Sequence, residues 1–194
     1  VQDLSAMSAG DLLNPQPGET ILDLCAAPGG KSTHIAERLK NEGKVVACEI
    51  VKNRIRTINE NARRLQLPHI ETHVIQDDGS DIPEGPYDGA IVDVPCSNTG
   101  VLGKRPEARW RLMPMSFREL IPLQMRLLKD AMGQVRFGGR VVYSTCSIDL
   151  EENRGVVDAL LAKHPDFELA EERFHRPGDP ADGGYQALLI RKSE

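Results

Sequence analysis

Glu19-Thr-Ile-Leu-Asp-Leu-Cys25 runs straight into Ala26-Ala-Pro-Gly-Gly30 and then Lys31-Ser-Thr-His34, and the reading of this stretch decides the fold. The first segment follows a Pro17-Gly18 turn and is rich in β-prone apolar residues, which predicts a strand. The second is built of small residues that let the chain bend sharply. In the third, Ile35, Ala36 and Leu39 fall on one face of a helix that Gly43 stops. Strand, small-residue loop and helix in that order open an α/β domain around a mostly parallel sheet.

The same alternation continues outward. Lys44 to Glu49 reads as the second strand, and its helix carries Ile55, Ile58, Ala62 and Leu65 at helical spacing before Pro68. Ile70 to Ile75 and Asp88 to Asp93 are strands three and four. A long irregular stretch then runs to Met115. Beyond it, either Ser116 and Glu119 form a capping box or Pro122 opens the helix as its first residue. Leu123, Leu127, Leu128, Ala131 and Val135 continue that helix, and Gly138-Gly139 end it. Arg140 to Thr145 is strand five, Asp149 and Glu152 cap a helix to about Lys163, and Phe167 to Ala170 and Tyr185 to Arg191 complete the sheet. The order is a doubly wound domain over residues 1–194 with a late hairpin-like addition.

With 194 residues the chain buries a sizeable core, and its 40% hydrophobic and 27% charged residues are those of an ordinary globular protein. No apolar run approaches the roughly 20 residues of a membrane span. Val1 to Leu12 lacks the basic start and apolar middle of a secretory signal, and Val1 reads as a cut edge. Cys25, Cys48, Cys96 and Cys146 lie far apart with no C-x-x-C pair, so neither a metal site nor a disulfide framework is expected, and a cytoplasmic, reducing compartment is. The net charge of −5 and 4% aromatic residues argue against a free-standing nucleic-acid module with a broad stacking surface.

Three ligand loops compete for Asp23-Leu-Cys-Ala-Ala-Pro-Gly-Gly-Lys-Ser32. A phosphate-binding P-loop needs glycine where Cys25 stands, and a dinucleotide loop needs G-x-G-x-x-G where only Gly29-Gly30 is present. An S-adenosylmethionine loop needs an acidic residue on strand one and a small, glycine-rich bend at the strand's carboxyl end, and this fits. Acidic residues ending strands two and three extend the pattern: Glu49 for the ribose hydroxyls, Asp77 or Asp78 for the adenine amino group. Cys25 and Cys48 themselves read as small, buried strand residues.

Strand four ends in Asp93-Val-Pro-Cys-Ser97 and strand five in Ser144-Thr-Cys-Ser147. If these strands are neighbours, Cys96 and Cys146 overlook one crevice beside the cofactor. Thiols there suit methylation of cytosine carbon 5, a poor nucleophile. Adding a thiolate to carbon 6 moves electron density onto carbon 5, and a carboxyl group near ring nitrogen 3, Asp93, assists by sharing a proton. Amino-group methylation is the competitor, but such enzymes tend to carry an aromatic residue where Cys96 stands. Spacing alone does not choose between the two cysteines.

At these residues the chain resembles the Fmu/Sun family of RNA cytosine-C5 methyltransferases, which includes bacterial 16S rRNA methyltransferases. Val1-Gln-Asp-Leu-Ser5, Cys25 to His34, Asp93 to Gly100, Ser144 to Asn153 and Asp182-Gly183 carry the resemblance over almost the whole chain. It implies a Rossmann-like class I S-adenosylmethionine-dependent fold, with a seven-stranded mostly parallel sheet and helices on both faces. It assigns the attack to Cys146 and gives Cys96 a part in breaking down the covalent intermediate. It places Cys25, Ala26, Ala27, Pro28, Gly29, Gly30, Lys31, Glu49, Arg54, Asp78 and Asp93 around S-adenosylmethionine, with Lys31 also facing the reaction centre. Two positions depart from the family: Glu49, where Asp is commoner, is expected to be neutral, and Gly184, where an aromatic is common, to loosen the last strand.

The RNA phosphates are expected on Lys104, Arg105, Arg109 and Arg111, within Gly103-Lys-Arg-Pro-Glu-Ala-Arg-Trp-Arg111, with Trp110 packing or stacking nearby. The target base must leave its stack or lie in a single strand. The resemblance implies an additional N-terminal RNA-binding portion in the family, and its expected absence here would explain the acidic net charge. The expected activity is 5-methylcytosine formation in 16S ribosomal RNA by a monomer. The alternatives are the same chemistry on transfer RNA, or a cofactor-binding RNA scaffold without turnover.

Overall fold

Strand β1 (Thr20–Leu24) alternates its side chains between two cores. Leu22 and Leu24 enter one apolar cluster, and Ile21 enters the other on the opposite face of the sheet. The computed structural model describes residues 3–40, 42–111, 114–178 and 181–193, and only the backbone of residues 111 and 114–116. Its further elements are α1 (Leu4–Leu13), α2 (Gly30–Arg38), β2 (Lys44–Glu49), α3 (Lys52–Arg64), β3 (Ile70–Val74), β4 (Tyr87–Asp93), α4 (Ala108–Arg111), α5 (Pro114–Gln134), β5 (Val135–Thr145), α6 (Arg154–Leu161), β6 (Phe167–His175) and β7 (Gly184–Arg191).

The strands form one sheet in the order β3-β2-β1-β4-β5-β7-β6. The first five run parallel, and β7 lies antiparallel between β5 and β6. Helices α1, α2 and α3 cover one face through Leu12, Leu13, Ile35 and Ile58, and α5 and α6 cover the other through Leu128, Met132, Val157 and Leu160. Strand order reverses between β1 and β4, which opens the crevice beyond their carboxyl ends where such sheets hold ligands. Among the described residues, no helix is long and apolar enough to cross a membrane.

Several elements differ from expectation. Helix α1 was not expected. Asp3 caps it, accepting from the Ser5 amide at 3.0 Å, and Asn14 ends it in the left-handed region with Pro15 behind. Helix α5 starts before Ser116, whose side chain lies outside the described residues, and it contains Pro122. It ends at Gln134 because Val135 pairs with Tyr87; Gly138, at φ 69°, lies within β5 instead of ending a helix. Strand β6 runs on to His175, pairing along nearly all of β7. Asp149 and Glu152 do not cap α6, whose N-cap Asn153 makes no side-chain cap bond. Both carboxylates serve the site instead.

Candidate active site

The alternation of β1 sends Asp23 to the α2 side of the sheet, where it is buried at 1% exposure. Its Oδ2 accepts from Ser32, in the first turn of α2, while Oδ1 is buried with no partner. Burial, reinforced by the charges of Asp93 and Glu49, pushes its carboxyl up to about 7, against the pull of Ser32 and Lys31. Past β1 the backbone turns through Cys25 at φ 64°, and Gly29 opens α2 at φ 96°. A Cβ on Gly29 would stand 3.2 Å from the Ile58 backbone, so this approach of loop to α3 needs glycine. Cys25, expected as a buried strand residue, lies half-buried just past β1, where desolvation and the nearby Asp23 and Asp93 charges push its thiol up and disfavour the thiolate.

Glu49, at the end of β2, is buried. Its Oε1 accepts from the Val51 amide at 3.2 Å, and its Oε2 faces the Arg54 guanidinium at 3.1 Å without an aligned hydrogen bond. Arg54 also donates to the Ala27 carbonyl at 3.3 Å, tying the two loops together. Glu49, Ile50, Asp77, Pro95 and Leu127 line one pocket together with Cys25. On the other side of Cys25 a cleft of about 630 Å³ is lined by Asp23, Ala26, Ala27, Pro28, Gly30, Lys31, Asp93 and Arg105 among others. Asp77 lies beside Arg126 at 3.4 Å. Asp78 lines neither space; it accepts from the Ser80 amide, which holds its carboxyl low.

Strands β4 and β5 are neighbours in register, Asp93 opposite Ser144, and their extensions bring the Cys96 and Cys146 sulfurs to 3.2 Å. Both thiols are free. Lys31 reaches across from α2 to pair with Asp93 at 2.8 Å. Burial works against the Lys31 charge, but Asp93, then Asp23 and Cys146, hold its ammonium above the ordinary lysine range. The pair of sulfurs shares its protons unequally. The bond from Cys96 lowers Cys146, with help from Lys31 and Arg105 and against burial and Asp93. The same bond, with burial, pushes Cys96 well up. Cys146 is thus the thiol that ionises first.

Beneath the sulfurs lies a polar network with no counterpart in the sequence reading. Glu152, fully buried, accepts from the Ser97 amide and hydroxyl and from Gln124, which also donates to the Pro95 carbonyl. Asp149 accepts from Thr99 at 2.6 Å and from Ser147 at 3.1 Å. Asn153 accepts from Thr145 and donates to the Ser147 carbonyl. Asn98 contacts Cys146 itself. The only cue was that serines, Asn98, Thr99 and acids crowd the ends of two adjacent strands, where buried polar groups must find partners.

The basic segment divides. Lys104 is held by Asp3 at 2.7 Å and Asp182 at 2.8 Å, locking the start of α1 to the loop before β7. Arg105 turns into the large cleft and acts on Cys146. Trp110, at 84% exposure, packs into no core. Arg109 lies beside it on α4, and the side chain of Arg111 lies outside the described residues.

Comparison with known proteins bears on this geometry. A family model described as 16S rRNA methyltransferase RsmB/F matches residues 11–189. The probable ribosomal RNA small subunit methyltransferase B of Bacillus subtilis (strain 168) is 40% identical over 170 residues, covering 87% of this chain and 38% of that protein. The chain therefore spans well under half the length of that relative. Among solved structures, PH0851 superposes with a TM-score of 0.92 at 36% identity, covering 97% of this chain and 46% of that one. NSun6 from Pyrococcus horikoshii, determined with the S-adenosylmethionine analogue SFG, superposes with a TM-score of 0.89 at 29% identity, covering 100% and 53%.

Proposed function

The chain belongs to the 16S rRNA methyltransferase RsmB/F family, and from that premise we propose that it methylates carbon 5 of a cytosine in RNA, 16S ribosomal RNA first, through a covalent bond between Cys146 and carbon 6. The observation that carries this reading is the pair of free thiols 3.2 Å apart, facing the Lys31–Asp93 ion pair across the crevice. The sheet is of the Rossmann-like class I methyltransferase kind.

The residues present fit S-adenosylmethionine. Asp23 offers an orphaned, buried carboxylate oxygen of the kind an ammonium group satisfies, and the loop from Cys25 to Gly30 gives close backbone approach before the α2 amides. Glu49, oriented by Arg54, suits the ribose hydroxyls, and Asp77 suits the adenine amino group better than Asp78, which is engaged with Ser80. When bound, the cofactor supplies a methyl group on a sulfonium.

The protein's own residues do the rest. Cys146 ionises beside Lys31 and Arg105 and adds to carbon 6, which enriches carbon 5. Asp93, with Lys31 as its counter-ion, shares the proton that ring nitrogen 3 requires as charge builds on the base. After methyl transfer a base takes the carbon 5 proton, the electrons of that bond restore the carbon 5–carbon 6 double bond, and Cys146 leaves as the thiolate, which the Cys96 thiol stabilises by a hydrogen bond over the short sulfur–sulfur contact. This chemistry needs reduced thiols and suits the cytoplasm.

A trapping assay with labelled S-adenosylmethionine and 16S ribosomal RNA tests the reading. Cys96→Ala should accumulate a covalent protein–RNA adduct, and Cys146→Ala should form none and transfer no methyl. Methylation by Cys146→Ala at near the wild-type rate would overturn the mechanism.

A further inference from the structure

Asn98 stands between the two cysteines. Its Nδ2 donates to the Cys96 carbonyl at 2.8 Å. That carbonyl only accepts, so the amide orientation is fixed and Oδ1 faces the Cys146 sulfur at 3.1 Å. The backbone is fixed as well. Asn98 sits at φ 62°, in the left-handed region asparagine tolerates better than most residues. Its carbonyl accepts from Val101, and the next turn is tied to Cys146 by the Gly100 amide at 3.0 Å. An amide oxygen accepts a hydrogen bond from a thiol and repels a thiolate.

Charged and titratable groups reach Cys146 from each side: Lys31 from α2, Asp93 from the end of β4, Cys96 from its own loop and Arg105 from the segment before α4. Lys31, Arg105 and the Cys96 thiol favour the thiolate, and Asp93 opposes it. Asn98 Oδ1 opposes it too, and without carrying charge of its own. We propose that Asn98 is a positioning residue that aims the Cys146 thiol and keeps it protonated in the resting enzyme. The proposal rests on Cys146 being the attacking group. With Asn98 as acceptor and Cys96 as donor, the Cys146 sulfur is held along two directions. Its proton leaves only when the bond to Asn98 is given up.

The test is the pH dependence of iodoacetamide alkylation at Cys146, resolved by peptide mass spectrometry in wild type, Asn98→Gly and Asn98→Asp. Glycine keeps the left-handed backbone and deletes the amide. Removing a hydrogen bond to the neutral form should lower the alkylation midpoint by about half to one pH unit. Asn98→Asp keeps an acceptor and adds negative charge, so its midpoint should rise. An unchanged or higher midpoint in Asn98→Gly overturns the proposal, as does a fall in Asn98→Asp. Adduct formation by Cys96→Ala on cytosine-containing RNA is measured alongside. Its absence overturns the reading of Cys146, whereas an immobile alkylation midpoint overturns the role of Asn98 alone.

Discussion

Asp23 concentrates the chemistry of the site in one carboxyl group. Its ordinary value is 3.8 and the fold lifts it to about 7. Between those values the folded chain keeps a proton that the unfolded chain has released, so folding stability falls as pH rises through this window and the full cost of the buried charge is present above it. The difference of about three pH units corresponds to on the order of 4 kcal/mol. Asp23→Asn should therefore melt higher than wild type at pH 8 and close to it at pH 4, in thermal denaturation without cofactor. The same variant should bind S-adenosylmethionine at least tenfold more weakly by calorimetry. Equal pH slopes in the two proteins would show that Asp23 is not the titrating group. That an acid sits on strand one was legible from the sequence. That it is orphaned on one oxygen was not, because this depends on where α2 places Ser32. Gly184 is the opposite case. Expected to loosen β7, it lies where a Cβ would stand 2.6 Å from the Thr145 carbonyl, so here it permits close pairing.

Between elements, the two cysteine loops are held by what lies under them. Glu152, ahead of α6, takes three donors from the β4 extension and α5, so it fastens three elements around one buried carboxylate. Glu152→Ala leaves those donors unpaired and should cost about 2–4 kcal/mol in urea denaturation, with loss of the RNA adduct. A loss under half a kcal/mol would mean that water replaces the carboxylate without strain. Beside this network, the Gly100 amide donates to the Cys146 carbonyl and the Gly183 amide to the Gly100 carbonyl. A Cβ on Gly100 would meet the Gly183 carbonyl at 2.3 Å. Gly100→Ala should thus part the cysteine loops, abolishing adduct formation while cofactor binding persists. Periodicity and turn residues made the parallel strands and α2, α3 and α6 legible. Helix α1 escaped because Ser5, Ser8 and Gly10 dilute its apolar face, although Asp3 and Asn14-Pro15 mark its ends. The roles of Asp149 and Glu152 escaped because a capping pattern and a buried network use the same residue types, and only tertiary placement tells them apart.

Over the whole molecule, charge argues that the catalytic machinery and the grip on RNA are separate. The chain carries a net charge of −5. Lys104, one of the cations expected to meet phosphate, is spent on Asp3 and Asp182, where it joins the first helix to the loop before the last strand. Arg105 and Arg109 form no ion pair among the described residues, and Arg105 faces the cleft near the Cys146 sulfur. One or two phosphate contacts release few counterions, so affinity for single-stranded RNA should be weak and its logarithmic salt dependence shallow, with a slope of about −1. The proposed cofactor site needs no such contacts, since its residues come from β1, β2, β4, α2, α3 and the turn after β3. We therefore expect this chain to bind S-adenosylmethionine at physiological salt but to hold 16S ribosomal RNA poorly by fluorescence anisotropy. Arg105→Gln should flatten the remaining salt slope, and Lys104→Gln should lower the melting temperature with little change in that slope. Tight RNA binding with a slope steeper than about −4 would show instead that the acidic chain already carries a full phosphate-binding surface. The division between a catalytic unit and an external RNA grip would then be wrong.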